Sequence, residues 1–160
     1  MKPDYFSEDI AEFIRLLHKF GVMYVIVGGE AVIYYGYPRL TGDVDFFYGE
    51  SEENYTALYD ALLEFWDGSI PGIQNKQELA APNYVIQFGT PPNRIDLMNQ
   101  IDGVSFDEAW NGKKTEYISI GKQKVPVYYM GLRQLLVNKK LSGRHKDRDD
   151  YEYLKKIQGE

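Results

Sequence analysis

Asp43-Val44-Asp45-Phe46-Phe47-Tyr48, read together with Tyr24-Val25-Ile26-Val27 and the break at Gly28-Gly29, decides the fold. The segment from residue 43 opens in strict alternation, the period of a β-strand, so residues i and i+2 share a face. Asp43 and Asp45 therefore project side by side while Val44 turns to the core. Two carboxylates so placed repel one another and resist burial, and a divalent cation between them removes the conflict. A third acid, Asp96, stands inside the apolar run Arg94-Ile95-Asp96-Leu97-Met98, and a neighbouring strand would bring it beside the pair. Three converging carboxylates make a site for one or two Mg²⁺ (or Mn²⁺) ions, which suits phosphoryl chemistry. Asp-Val-Asp alone would equally fit a solvated strand edge. The preceding glycines and the echo at Asp96 argue against that.

Gly28 and Gly29 let backbone amides come close to a ligand, and a helix opening there turns its positive end to phosphate. No Gly-Lys-Ser/Thr follows, so the turn is not a P-loop, and the third glycine of a dinucleotide fingerprint is missing.

Outward from this centre the chain alternates between helical and strand periods. Ser7 is a candidate N-cap for a helix carrying Ile10, Phe13, Ile14, Leu17 and Phe20, with Gly21 as its stop. Residues 30–35 read as a short helix and 52–66 as an amphipathic one, with Tyr55, Leu58, Leu62 and Phe65 on one side. Strands are expected at 84–88 and 94–98 around a loop at Gly89-Thr90-Pro91-Pro92-Asn93, and at 115–120 and 124–128 around Gly121. Helices over about 131–141 and 147–157 close the chain. This order predicts an α/β (α+β) domain around one mixed sheet flanked by helices. Residues 1–160 form a single domain in this reading, with a helical C-terminal extension over about 131–158.

Composition bounds the function. The 160 residues hold no cysteine and two histidines, which points away from thiolate and histidine-rich metal sites and toward a hard cation held by oxygen. A net charge of −6 argues against coating nucleic acid by bulk electrostatics. The one dense basic stretch is Lys139, Lys140, Arg144, His145, Lys146 and Arg148. No apolar run approaches the roughly 20 residues of a membrane span, and Met1-Lys2-Pro3-Asp4-Tyr5 does not open like a signal peptide. A cytoplasmic protein with no membrane partner is expected.

Val27-Gly28-Gly29, Asp43-Val44-Asp45 and Asp96 together resemble the signature of the nucleotidyltransferase superfamily that includes DNA polymerase β. More narrowly, Gly28-Gly29-Glu30-Ala31, Gly36-Tyr37-Pro38-Arg39, Thr41-Gly42-Asp43-Val44-Asp45, Arg94-Ile95-Asp96-Leu97, Asp102-Gly103, Phe106, Asn138-Lys139, Gly143-Arg144, Lys146-Asp147 and Asp150 resemble bacterial proteins related to the type IV abortive-infection toxins. The resemblance implies that Asp43, Asp45 and Asp96 hold the metal, with Asp96 also helping to activate the attacking hydroxyl. Gly28 and Gly29 would cradle an NTP, Arg39 and Thr41 would contact it, and Lys139, with Asp147 nearby, would touch phosphate. An RNA or protein hydroxyl is the expected acceptor, with the basic stretch from Lys139 to Arg148 suited to a tRNA backbone, and a cognate toxin or antitoxin is an expected partner. Three positions depart from the pattern. Gly29 stands where relatives carry serine, Glu30 brings a negative charge toward the triphosphate, and Tyr35 stands where histidine is common. Glu30 motivates an alternative, an inactive binding or regulatory module acting as antitoxin or nucleotide sensor.

Overall fold

The computed structural model describes residues 5–159, and its centre is a six-stranded mixed sheet. The strands are β1 (Tyr24–Val27), β2 (Asp43–Tyr48), β3 (Val85–Phe88), β4 (Arg94–Met98), β5 (Lys114–Ile120) and β6 (Gln123–Tyr129). Their spatial order is β3-β4-β2-β1-β6-β5. β1 runs antiparallel to β2 and parallel to β6, β2 runs parallel to β4, and the β3–β4 and β5–β6 pairs are antiparallel. The mixed α/β architecture expected from the sequence is therefore present, with helices flanking the sheet and closing the chain.

Helix α1 (Glu8–Lys19) starts where Ser7 accepts the Ile10 amide at 3.4 Å, and it buries Ile10, Phe13, Ile14, Leu16 and Leu17. Phe13 meets Phe46 of β2 edge to face at 5.2 Å and Phe65 of α3 (Glu52–Phe65) at the same distance. One side of β2 (Val44, Phe46, Tyr48) thus faces the α1/α3 layer, where all three side chains are buried. The other side carries Asp43, Asp45 and Phe47. Its inner end is closed by Phe47 packing on Phe106 of α4 (Phe106–Asn111), ring centres 5.3 Å apart. Its outer end, with the two aspartates, stays open. Sheet alternation alone separates a dry end from a polar end of one strand face.

Helix α2 (Gly28–Tyr34) follows β1 directly, two residues earlier than the periodicity suggests. Helices α5 (Leu132–Ser142) and α6 (His145–Gln158) match the expected C-terminal pair, with α6 starting two residues sooner. Gly143 separates them at φ +75°, a left-handed turn that favours glycine. Two elements were not anticipated: α4 and a 3₁₀ turn at Lys76–Ala80. Both are only one to two turns long and are set by reciprocal caps, Ser105 with Glu108 and Asn75 with Glu78, rather than by apolar period.

Candidate active site

Register brings the three aspartates together. In the parallel β2–β4 ladder Asp43 lies opposite Arg94, Asp45 opposite Asp96 and Phe47 opposite Met98. Opposed residues share a face, so Asp43, Asp45 and Asp96 converge, each offering a carboxylate oxygen within 4.8 Å of the others. They open on a cavity of about 350 Å³ lined also by Gly28, Gly29, Thr41, Gln87, Arg94, Lys139, Arg144 and Lys146.

Gly28 is indispensable to this geometry. Its φ is +66°, and a Cβ built on it would run into the Asp45 carboxylate. A Cβ on Gly29 would stand 2.7 Å from the Thr41 hydroxyl and 3.1 Å from the Arg39 guanidinium. A serine at position 29, the residue the sequence resemblance leads one to expect, has no room here while Thr41 and Arg39 keep their places. Thr41 instead donates its hydroxyl to Asp43 at 3.1 Å, orienting that carboxylate. Helix α2 is only seven residues long and carries Glu30 in its first turn, accepting from the Tyr5 hydroxyl at 2.5 Å. Burial raises the Glu30 pKa, and Asp43 nearby adds to the rise against the lowering influence of Tyr5 and Arg39.

The three carboxylates differ in electrostatic state. Burial would raise Asp43, but hydrogen bonds led by Arg94 outweigh it and hold its carboxyl below the usual range. Asp96 is raised by burial and by Asp43, with Arg94 opposing. Asp45 is pushed up to about 7, first by burial and then by the charges of Asp43 and Asp96. Its Oδ1 is buried and has no hydrogen-bond partner among the described residues. An oxygen so confined, beside two other carboxylates, fits a hard divalent cation by donor chemistry and by charge.

Arg94 received no role from the sequence. Its Nη2 lies 2.7 Å from Asp43 Oδ2 and its Nε 3.0 Å from Asp96 Oδ1. Gln87 of β3 adds a hydrogen bond to Asp96 Oδ2 at 3.2 Å. The signal was available: two residues before Asp96 on one strand, Arg94 must share its face.

The remaining expected residues form a second cluster. Lys139 is 3% exposed and pairs with Asp147 at 2.8 Å and Asp150 at 3.0 Å. Arg39 pairs with Asp150 at 2.9 Å. Asp147 also accepts from Ser142 and from Arg144, each at 2.6 Å. Lys139, expected to touch phosphate, is thus a buried ion-pair member at the cavity wall, and Arg39, expected to contact the nucleotide, faces a buried acid. Tyr37 stacks on Tyr153 with ring centres 4.4 Å apart, and the Tyr153 hydroxyl donates to the Gly36 carbonyl at 3.1 Å. Through these contacts α6 holds the 36–42 segment, and with it Arg39 and Thr41, against the cavity. His145 makes no hydrogen bond or ion pair among the described residues.

Among the described residues, no helix is long and apolar enough to cross a membrane. No curated protein matches the chain. One family model, described as nucleotidyl transferase of unknown function (DUF2204), matches residues 6–160, and the chain belongs to that family.

Proposed function

We propose that this protein moves a nucleoside monophosphate from an NTP to a hydroxyl of an RNA or protein acceptor, using a divalent cation held by Asp43, Asp45 and Asp96. The observation that carries the reading is the in-register pairing of Asp45 with Asp96 beside Asp43, open to a cavity floored by Gly28 and Gly29. Mg²⁺ or Mn²⁺ at these carboxylates would supply charge neutralisation on the phosphates and acidify the attacking hydroxyl.

The chain's own groups do the rest. Gly28 and Gly29 let the Asp45 carboxylate and the Thr41 hydroxyl pack directly against the backbone at the cavity wall, where a triphosphate would lie. Thr41 orients Asp43, and the α6 contacts position Thr41. Asp96 would take the acceptor hydroxyl's proton, the role the sequence resemblance suggests for it. The acceptor oxygen then bonds to the α-phosphorus, the α–β bridging bond breaks, and pyrophosphate leaves. Catalysis here is mainly positioning and electrostatics, the usual case for phosphoryl transfer. The basic edge formed by Lys140, Arg144, Lys146 and Arg148 fits an RNA acceptor such as tRNA, and a toxin–antitoxin context in the bacterial cytoplasm follows from the sequence resemblance.

The test is incubation of pure protein with Mg²⁺, each α-labelled NTP, and either total RNA or cellular protein. Labelled acceptor and released pyrophosphate support the reading. A second reading, a nucleotide-binding module without turnover, is favoured by Glu30 and by the guanidinium already seated between Asp43 and Asp96. NTP binding by calorimetry with no product on any acceptor would select it.

A further inference from the structure

The sheet face holds one cation of its own. Arg94 spans Asp43 and Asp96, its guanidinium reaching Asp43 Oδ2 through Nη2 and Asp96 Oδ1 through Nε, with Nη2 also 3.4 Å from Asp96 Oδ2. The oxygens it uses are among those that a divalent ion shared by these residues would need. Asp45, by contrast, receives nothing from Arg94 and keeps a buried oxygen with no partner among the described residues. The side chain of Arg94 is 31% exposed and lines the cavity, so it has room to leave.

We propose that Arg94 is a built-in counter-ion that competes with the divalent cation for Asp43 and Asp96, so that metal binding requires its guanidinium to swing off both carboxylates. The inference rests on the metal-binding reading above. A guanidinium and a divalent ion answer the same need, the neutralisation of crowded carboxylates, but their geometries exclude one another. The fork takes its oxygens from the front in a plane, whereas a hard cation draws them inward around a point. Metal-free protein therefore keeps its three acids at the cost of a weaker apparent metal affinity. The device also sets a threshold: with too little divalent ion the arginine holds the site shut.

The experiment measures Mn²⁺ binding to the full chain by calorimetry for wild type, Arg94→Gln and Lys146→Gln. If the fork is open in about a tenth of wild-type molecules, Arg94→Gln binds Mn²⁺ about tenfold more tightly. Lys146→Gln removes the same charge from the cavity lining without touching a carboxylate, and it stays within about threefold of wild type. Thermal melting supplies the second readout. In EDTA, Arg94→Gln melts below wild type, and Mn²⁺ raises its melting temperature by more than it raises that of wild type. A merely structural arginine would lower the melting temperature without tightening Mn²⁺ binding, and that result overturns the proposal. So does a gain in Lys146→Gln equal to that in Arg94→Gln, which would make the effect bulk charge. If neither wild type nor Arg94→Gln binds Mn²⁺, the metal reading itself falls and this inference with it. Binding by wild type that Arg94→Gln leaves unchanged removes the inference alone.

Discussion

Where α5 meets α6, three cations (Arg39, Lys139, Arg144) interlock with two acids (Asp147, Asp150); on the sheet, one arginine serves two of three acids and leaves Asp45 without it. The first cluster is rich in cations, and both of its acids are 1% exposed. The second has a surplus of negative charge and opens into a cavity. Burial explains the contrast. An ion in a dry interior must be matched by partners from the chain, because nothing else can reach it. An unmatched acid beside a cavity can be completed from solution. The closed cluster thus fixes the shape of the cavity wall, and the open one is left to be completed by a ligand.

Breaking the closed cluster should have the largest effect. Lys139→Met leaves Asp147 and Asp150 with only peripheral partners, and removing one member of a buried pair costs about 3–5 kcal/mol. Urea unfolding would read this as a lower midpoint. A midpoint unchanged from wild type would mean that the cluster does not hold the wall together.

In the open cluster the outcome divides. Asp45→Asn should lower nucleotide transfer by about 10²–10³-fold, the scale seen when one preorganised electrostatic group is removed. The same change should raise stability in EDTA, because it relieves a carboxylate facing two others. The sign follows from the upward shift of Asp45, from its ordinary 3.8 to about 7. Its favourable contribution is complete below 3.8 and is lost as pH climbs through about 7. The advantage of Asp45→Asn over wild type should therefore be absent near pH 4 and full by pH 8. Melting curves across that range check it.

Arg39→Gln should be milder. Asp150 keeps Lys139, so the loss is that of the two-pronged contact from Arg39 Nε and Nη2, about 1.5–3 kcal/mol. Because Arg39 and Thr41 share one segment, NTP affinity measured by calorimetry should fall with it. A stability loss with unchanged NTP affinity would confine Arg39 to the wall.

The smallest effect lies at low pH. Burial would raise Asp147, but its hydrogen bonds from Lys139, Ser142 and Arg144 prevail and hold it at about 2. That stability is present above the ordinary value of 3.8 and is lost as pH falls toward 2. Asp147→Asn should start less stable and lose less between pH 4 and 2, giving a flatter acid limb in circular dichroism. An acid limb as steep as that of wild type would assign the loss to other carboxylates.

Much of this contrast was legible from local patterns. The alternation from Asp43 placed two carboxylates on one face, and the apolar setting of Asp96 marked it as an acid out of place. Strand bounds at 43–48 and 94–98 coincide with the structure: the first is a Val- and aromatic-rich run between Gly42 and Gly49, and the second a short alternating run that opens just after the turn at 89–93. Helix α4 was missed because six residues cannot display an apolar period; its only sign was the Ser105–Glu108 capping box. Lys139 and Arg39 were expected to contact the nucleotide; Lys139 lines the cavity, whereas the Arg39 guanidinium lies on Asp150. Their mutual partner Asp150, more than a hundred residues from Arg39, stands among the motif residues, but nothing local marks it as their partner.

The sequence by itself determined which residues are acids on strands, where the chain turns at glycine, and which faces are apolar, since these depend on neighbours a few residues away. Only the tertiary structure decided that β4 lies parallel to β2 in the register that sets Asp96 beside Asp45. It alone turned Arg94 onto two of the three carboxylates and buried Lys139 between two acids. Charges gain or lose their partners through space, and in a folded chain the decisive distances join residues that the sequence keeps far apart.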